Sequence, residues 1–393
     1  TGSGVTIQSA TGYIRFDGVT VHDNAGHGIA FQHPGSSSTI LGPLEVLNST
    51  ISNNGTGVRV PSSNTNGFDI TIAGSTITDN RTAGVMTNPS GTVMNGPANV
   101  EITNSIFSGN GDGGTGGTGD IVLFGYHGDA TLQGLTITGD GGGSNAIQIS
   151  GATVPATGPE LERVPQASIG NISIEDVDVT GTYARDVVVI HRFLDMVGLT
   201  MADVNLTGAA AGGPTWNQVV FSNFGGDLDL ASFGLNADAL KTYLLSRDTN
   251  GVELTGGTGV DLLVGGSGND ILTGGDGADI LSGSDGHDAF SGDAGDDILL
   301  GANGIDTANY AGSIAAGMIT TVVDSDPFTI GNQAGWQVAT GGAEGTDTLS
   351  GVEIVDGVEG GRALLVGNGG FATIQAAVAA ADAGDTILIA NGT

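Results

Sequence analysis

The sequence predicts an all-β protein built from two stacked coils of different period. Three observations carry that prediction. Six consecutive nonapeptides run without a gap from Gly256 to Asn309. Five earlier segments alternate apolar and polar residues around a break at Asn, Gly or Asp. Aligned on Val21, Ile51, Ile77, Phe107 and Ile137, they recur at intervals of 30, 26, 30 and 30 residues. Helical periodicity is confined to two short stretches. Repeats of fixed period bury their apolar faces against their own neighbours, which makes a coil stacked on itself.

The longer period comes first. It reads GVTVHDNAGHGIAF (18–31), NSTISNNGTGVRV (48–60) and GSTITDNRTAGVMT (74–87), with weaker copies reaching residue 221. Alternation predicts that Ile29, Phe31, Val58, Val60, Val85, Ile121, Leu123, Ile147 and Ile149 point inward. Asn24, Asn54, Asn80 and Asn110 fall at matching turns, where Asn tolerates left-handed backbone and can bond along the stack. Residues 1–230 resemble a right-handed parallel β-helix of the pectate-lyase-like kind. A fold of that type does not by itself specify chemistry. Beyond it, Phe233, Leu235, Leu240, Tyr243 and Leu244 are spaced as on an amphipathic helix, so 231–250 is expected to be a capping or connecting helix.

The nonapeptides are GGTGVDLLV, GGSGNDILT, GGDGADILS, GSDGHDAFS, GDAGDDILL and GANGIDTAN. Gly at the first and fourth positions permits a tight turn with exposed carbonyls. The sixth position is Asp261, Asp270, Asp279, Asp288, Asp297 and Asp306, and the eighth is apolar. Ten Asp and no Lys or Arg lie in this stretch, which would repel itself without a cation. Carboxylates among bare carbonyls suit a hard ion such as calcium. The run resembles the RTX, or hemolysin-type, calcium-binding β-roll, in which two nonapeptides make one coil. By that resemblance, Asp261, Asp279 and Asp297 line one edge of a roll over 251–310, and Asp270, Asp288 and Asp306 the other. The same resemblance implies that calcium lies between stacked turns that include Gly257, Gly259, Gly266, Gly268, Gly275, Gly277, Gly286, Gly295 and Gly304. At the second position Ser284, Asp293 and Ala302 depart from glycine.

Residues 311–362 resemble the irregular β segment that follows such runs. Asp347 and Glu353 in GTDTLSGVEIVDG read there as solvated surface carboxylates, with calcium binding as the alternative. The stretch 363–393 predicts a helix, with Ile374, Ala377, Val378 and Ala381 on its apolar face and Gly384 ending it, followed by a strand. That order is expected of the opening of a following β-helix, and ILIANGT joined to TGSGVTIQS would continue one.

Composition narrows the function. A formal charge of −33, with nine Lys and Arg, excludes electrostatic binding of nucleic acid or anionic membranes. With no cysteine, bound metal is the natural substitute for disulfides. No signal peptide or membrane span is visible; RTX-like proteins usually use type I secretion. Among β-helix proteins, alginate epimerases share this layout. Their Tyr-Gly-x-Asp-Pro-His stretch is missing here, FGYHGD (124–129) being the nearest string. The outward column Ala30, Gln32, Arg59, Pro61, Met86, Asn88, Val122, Phe124, Gln148 and Ser150 holds one ionisable group. Three weaker clusters (His22, Asp23, His27 and His33; Tyr126, His127 and Asp129; Asp186, His191 and Arg192) read as structural before catalytic. No catalytic residue is assigned. The sequence reads as a calcium-dependent extracellular structural or adhesive unit of a surface layer, filament or adhesin, partnered by copies head-to-tail or by neighbouring repeats of a longer chain. The alternatives are a lyase or C5-epimerase-like polysaccharide enzyme, or a glycan-binding module.

Overall fold

The computed structural model describes residues 2–7, 12–31, 42–60, 69–87, 99–111, 118–126, 128–142, 145–151, 171–191, 198–211, 218–224, 228–230, 233–236, 240–246, 248–323 and 334–390. The chain is all-β in two compact units, one of residues 1–222 with 233–238, the other of 223–232 with 239–393. No helix among the described residues is long and apolar enough to cross a membrane.

The first unit is a parallel β-helix. One sheet stacks Val5–Ile7, His27–Phe31, Thr56–Val60, Ala83–Thr87, Gly119–Tyr126, Asn145–Gly151, Val188–His191 and Val219–Phe224 in parallel. Its register keeps like residues together, as in Val58↔Val85↔Ile121↔Ile147. All nine residues expected to point inward are buried. Opposite lie two columns of short strands, which merge into the long strand Ala130–Asp140.

Two corrections concern this unit. Left-handed backbone is found at Asp23, Asn53, Asp79 and Gly109, one residue before the matched asparagines. The asparagines themselves are free to turn inward and bond along the stack. The outward column is also less open than alternation suggests, because Ala30, Met86 and Val122 are buried too. Gln32, Pro61 and Asn88 lie outside the described residues.

The second unit holds the nonapeptides as a parallel β-roll. Alternate repeats pair: Leu263↔Leu281↔Leu299 on one face and Leu272↔Phe290↔Ala308 on the other, all fully or almost fully buried. The helix expected over 231–250 is not formed at its described residues. Leu235–Asn236 and Leu240–Ser246 are strands. Leu244 pairs with Leu263, while Thr242, Leu244 and Ser246 are buried at period two. A neighbouring rung offering a full set of ladder bonds outweighs a weak helical preference.

After the repeats, Ile319–Val323 and Ala334–Ala339 form an antiparallel hairpin on Thr346–Ser350. The last helix is shorter than predicted, running Ile374–Ala380 with Thr373 as N-cap and ending before Gly384. Arg362 binds Asp382 and Asp385 and fixes the turn that follows. Ala377 packs with Ile354, Leu364, Val366 and Phe371, and Thr386–Ile389 pairs in parallel with Arg362–Val366. This segment therefore has a seat on its own unit. Ile374 and Val378 remain about half exposed, at 46% and 58%.

Candidate metal centre

Each nonapeptide turn delivers one carboxylate to the edge of the roll. From Asp279 onward, the Oδ1 atom of each sixth-position Asp accepts the backbone N–H of its counterpart one coil earlier. Asp261 N donates to Asp279 and Asp279 N to Asp297, both at 2.8 Å. On the other edge Asp270 N donates to Asp288 at 2.9 Å and Asp288 N to Asp306 at 2.8 Å. The division of the six aspartates between two edges matches the resemblance. At the opening end Thr242 Oγ1 donates to Asp261 and Val252 N to Asp270.

The second oxygen is the informative one. Oδ2 of Asp270, Asp279, Asp288, Asp297 and Asp306 is buried and has no hydrogen-bond partner. Each points into its own turn, where it occupies the space a Cβ on the first-position glycine would fill (Gly265, Gly274, Gly283, Gly292 and Gly301). A Cβ on Gly256, Gly274 or Gly301 would also meet a carbonyl of the next stacked turn. The fourth-position glycines are equally confined: a Cβ on Gly277, Gly286, Gly295 or Gly304 would overlap the carbonyl of the turn below. Carboxylate and carbonyl oxygens thus converge around the same glycines, the donor set a hard cation takes.

Electrostatics agree. Stacked strands lie about 4.8 Å apart, and two carboxylates that close repel by about 3 kcal/mol at an effective dielectric constant of about 20. Burial, with a smaller contribution from like charges, raises Asp279 to about 7, and Asp270, Asp288 and Asp297 to about 6. Asp261 and Asp306 are also raised, chiefly by burial. A divalent ion would reverse each of these shifts. Among the described residues no three His, Cys, Asp or Glu side chains converge as a cluster. That is expected of a centre in which each turn gives one carboxylate and backbone carbonyls give the rest.

The departures from glycine leave the turns intact. Ser284, Asp293 and Ala302 take φ of 83°, 67° and 74°, the left-handed region that Gly275 occupies at 108°. Asp347 and Glu353, read from sequence as solvated, are buried instead, at 1% and 7% exposure. They extend the two ladders. Asp297 N donates to Asp347 Oδ1 and Asp306 N to Glu353 Oε2, each at 2.9 Å. A signal was present: GAEGTDTLS, 342–350, keeps the Gly-x-x-Gly-x-Asp-x-apolar pattern. Residues 310–341 separate it from the run, which hides the register.

The weaker clusters fall only in part among the described residues. His22 Nδ1 bonds Asp23 at the surface, while the half-buried His27 ring lies 2.7 Å from the Arg59 guanidinium. Asp129 accepts the N–H of Asn171 in a turn stack. His33, His127 and Arg192 lie outside the described residues.

The geometry defines a parallel β-roll with a row of stacked carboxylates along each edge. The family model for the RTX calcium-binding nonapeptide repeat matches residues 255–290 and 276–308, in four copies. These residues are RTX calcium-binding repeats, and calcium is their cofactor. No curated protein and no solved structure matches the chain.

Proposed function

We propose that the chain is a calcium-dependent structural or adhesive protein that works outside the cell as a repeated unit of a surface layer, filament or adhesin. The observation that carries this reading is the row of buried carboxylate oxygens without donors. An edge built that way needs a divalent ion at high occupancy. Extracellular calcium modules work at about 0.1–1 mM, a supply found outside the cell, and RTX repeats are typical of secreted proteins. In this reading the ligands are Asp261, Asp270, Asp279, Asp288, Asp297 and Asp306. Carbonyls of the turns that hold Gly257, Gly259, Gly266, Gly268, Gly275, Gly277, Gly286, Gly295 and Gly304 complete the sites. The ion neutralises the edge, and its binding free energy becomes folding free energy.

Assembly of copies head-to-tail is supported by the sheet edges. Among the described residues, Thr386–Ile389 and Val5–Ile7 each pair on one side only, and Ile389 is 49% exposed. A contact between such unlike edges does not close on itself and extends into a filament or sheet. The enzyme alternative requires paired carboxylates and a base on one outward face, and the glycan-binding alternative a polar, exposed one. Buried Ala30, Met86 and Val122 favour a packing role for that face over either. Light scattering of the full chain tests the reading: particle mass should grow with protein concentration in calcium and stay small in Ile389→Lys. Growth unaffected by that substitution would reject this edge as the contact, and turnover of a uronate polymer would promote the enzyme alternative.

A further inference from the structure

The RTX match ends at residue 308, yet the metal edges do not. If the roll closed there, Asp297 and Asp306 would each face solvent on the side where a following turn should stack. Both are buried, at 1% and 0% exposure, with Oδ2 unpartnered. What covers them is the later segment, folded back as two further turns.

The first of these is a complete nonapeptide, Gly342–Ser350. Its strand pairs with the fifth repeat through Ile298↔Thr348, Leu299↔Leu349 and Leu300↔Ser350. Gly345 takes φ of 65°, and a Cβ there would overlap the Gly295 carbonyl, as one on Gly295 would overlap that of Gly277. Asp347 then stands in sixth position beneath Asp297. The second turn is shortened. Gly351 follows Ser350 as Gly301 follows Leu300, but only Val352 separates it from the acidic residue, where Ala302–Ile305 intervene in the sixth repeat. The acid is Glu353, one methylene longer than the aspartates above it. Its Oε2 takes the N–H of Asp306 in the same way as each aspartate does. Val355 replaces the eighth-position residue, pairing with Ala308 at full burial. Around Gly301, Asp306 Oδ2 and the Gly351 carbonyl crowd the place of a Cβ. Asp261 and Gly274 do the same around Gly256.

We propose that these closing turns complete two additional calcium sites, one between Asp297 and Asp347 and one between Asp306 and Glu353. The inference rests on the calcium reading of the ladders given above. Four stacked pairs lie within the six repeats: Asp261/Asp279, Asp279/Asp297, Asp270/Asp288 and Asp288/Asp306. The closing turns add one to each edge, so the roll holds six ions where the repeats alone would hold four.

Native mass spectrometry of the full chain, titrated with calcium, counts them. Six ions are expected on the parent and five on each of Asp347→Asn and Glu353→Gln, since the amide oxygen keeps the ladder bond but not the charge. A parent that saturates at four, with both variants also at four, would overturn the inference while leaving the calcium roll standing. A parent that binds none would overturn the reading beneath it. A second measurement does not depend on the Asp347 and Glu353 variants folding. Tyr310 lies buried beside Asp347, so terbium in that site should emit on tyrosine excitation, and Tyr310→Phe should lose most of that emission. Unchanged emission would count against the site.

Discussion

The two units solve the same stacking problem with different side chains. In the β-helix, Asn24, Asn54, Asn80 and Asn110 form a ladder in which each backbone N–H donates to the next Oδ1, at 3.2, 3.0 and 3.1 Å. In the β-roll, the aspartates make the same bond in the same direction. The difference is the second atom of the side chain. Nδ2 of Asn80 donates to the carbonyls of Ile51 and Thr78 and to Asn110 Oδ1, so the amide is satisfied without outside help. Oδ2 of Asp279 has no donor to meet. One ladder is complete as protein; the other leaves one oxygen of each buried carboxylate from Asp270 to Asp306 without a donor. Buried polar groups stabilise only when satisfied, and for a carboxylate edge the missing partner is an ion.

Calcium removal should separate the units most sharply. At saturation a thousandfold above Kd, each ion contributes about 4 kcal/mol, so loss of several ions exceeds the stability of an ordinary domain of about 5–15 kcal/mol. Hydrogen exchange after chelation should lose protection over 253–310 and 346–357 and keep it over 44–150. Uniform protection in both units would show that the comparison is wrong.

Single substitutions should break it next. Asp279→Ala removes an orphan oxygen that sits between Asp261 and Asp297 and is expected to cost more calcium affinity than Asp261→Ala. Asp261 Oδ2 already accepts the Gly257 N–H and lies at the opening end. The reverse exchange, Asn80→Asp, would import the defect into the β-helix. It should destabilise that unit by about 3 kcal/mol at neutral pH, as uncompensated buried charges do, and by less at pH 4. Calcium titrations of Asp279→Ala and Asp261→Ala, and denaturant melts of Asn80→Asp, each beside the parent, give both comparisons.

Proton dependence should have opposite signs with and without metal. In the free roll burial is the main cause that raises the carboxyls of Asp279 and Asp347 to about 7 and that of Glu353 to about 8, well above the ordinary carboxylate range. A raised pKa means that the folded state holds the proton more tightly. The stabilisation is therefore full below about pH 4 and is lost as pH rises through 7 to 8. With calcium bound, protons compete with the ion, and stability rises over the same window. Melting temperatures of metal-free and calcium-loaded protein should converge at low pH and separate as pH rises, because bound calcium only adds stability; parallel curves would mean that the ladders do not bind metal.

The sequence made most of this visible because glycine, asparagine and aspartate mark turns by position. The inward residues and the matched asparagines could be placed from spacing, and the two edges of the roll from the resemblance to RTX repeats. Leu240–Ser246 could not, since its apolar residues fit either period and a neighbouring strand decided it. Asp347 and Glu353 were obscure for another reason. Their partners, Asp297 and Asp306, are 50 and 47 residues away, and the shortened turn at Gly351 breaks the count that would reveal them.

The smallest expected effect concerns the turns themselves. Ala302 holds φ at 74° in second position, where glycine stands in the first three repeats. Left-handed backbone costs a residue with a Cβ about 1–2 kcal/mol, whereas glycine enters it freely but loses about 0.5–1 kcal/mol more entropy on folding than alanine. The two nearly offset, so Ala302→Gly should stabilise the calcium-loaded roll by about 0.5 kcal/mol. The turn between Gly301 and Gly304 is fixed by the oxygens it surrounds, and the ion count should not change. If strain at this position instead tuned the site, the same substitution would shift calcium affinity. Paired melts and calcium titrations of Ala302→Gly tell these apart: a change in stability at constant affinity assigns the strain to the backbone, and a change in both assigns it to the metal.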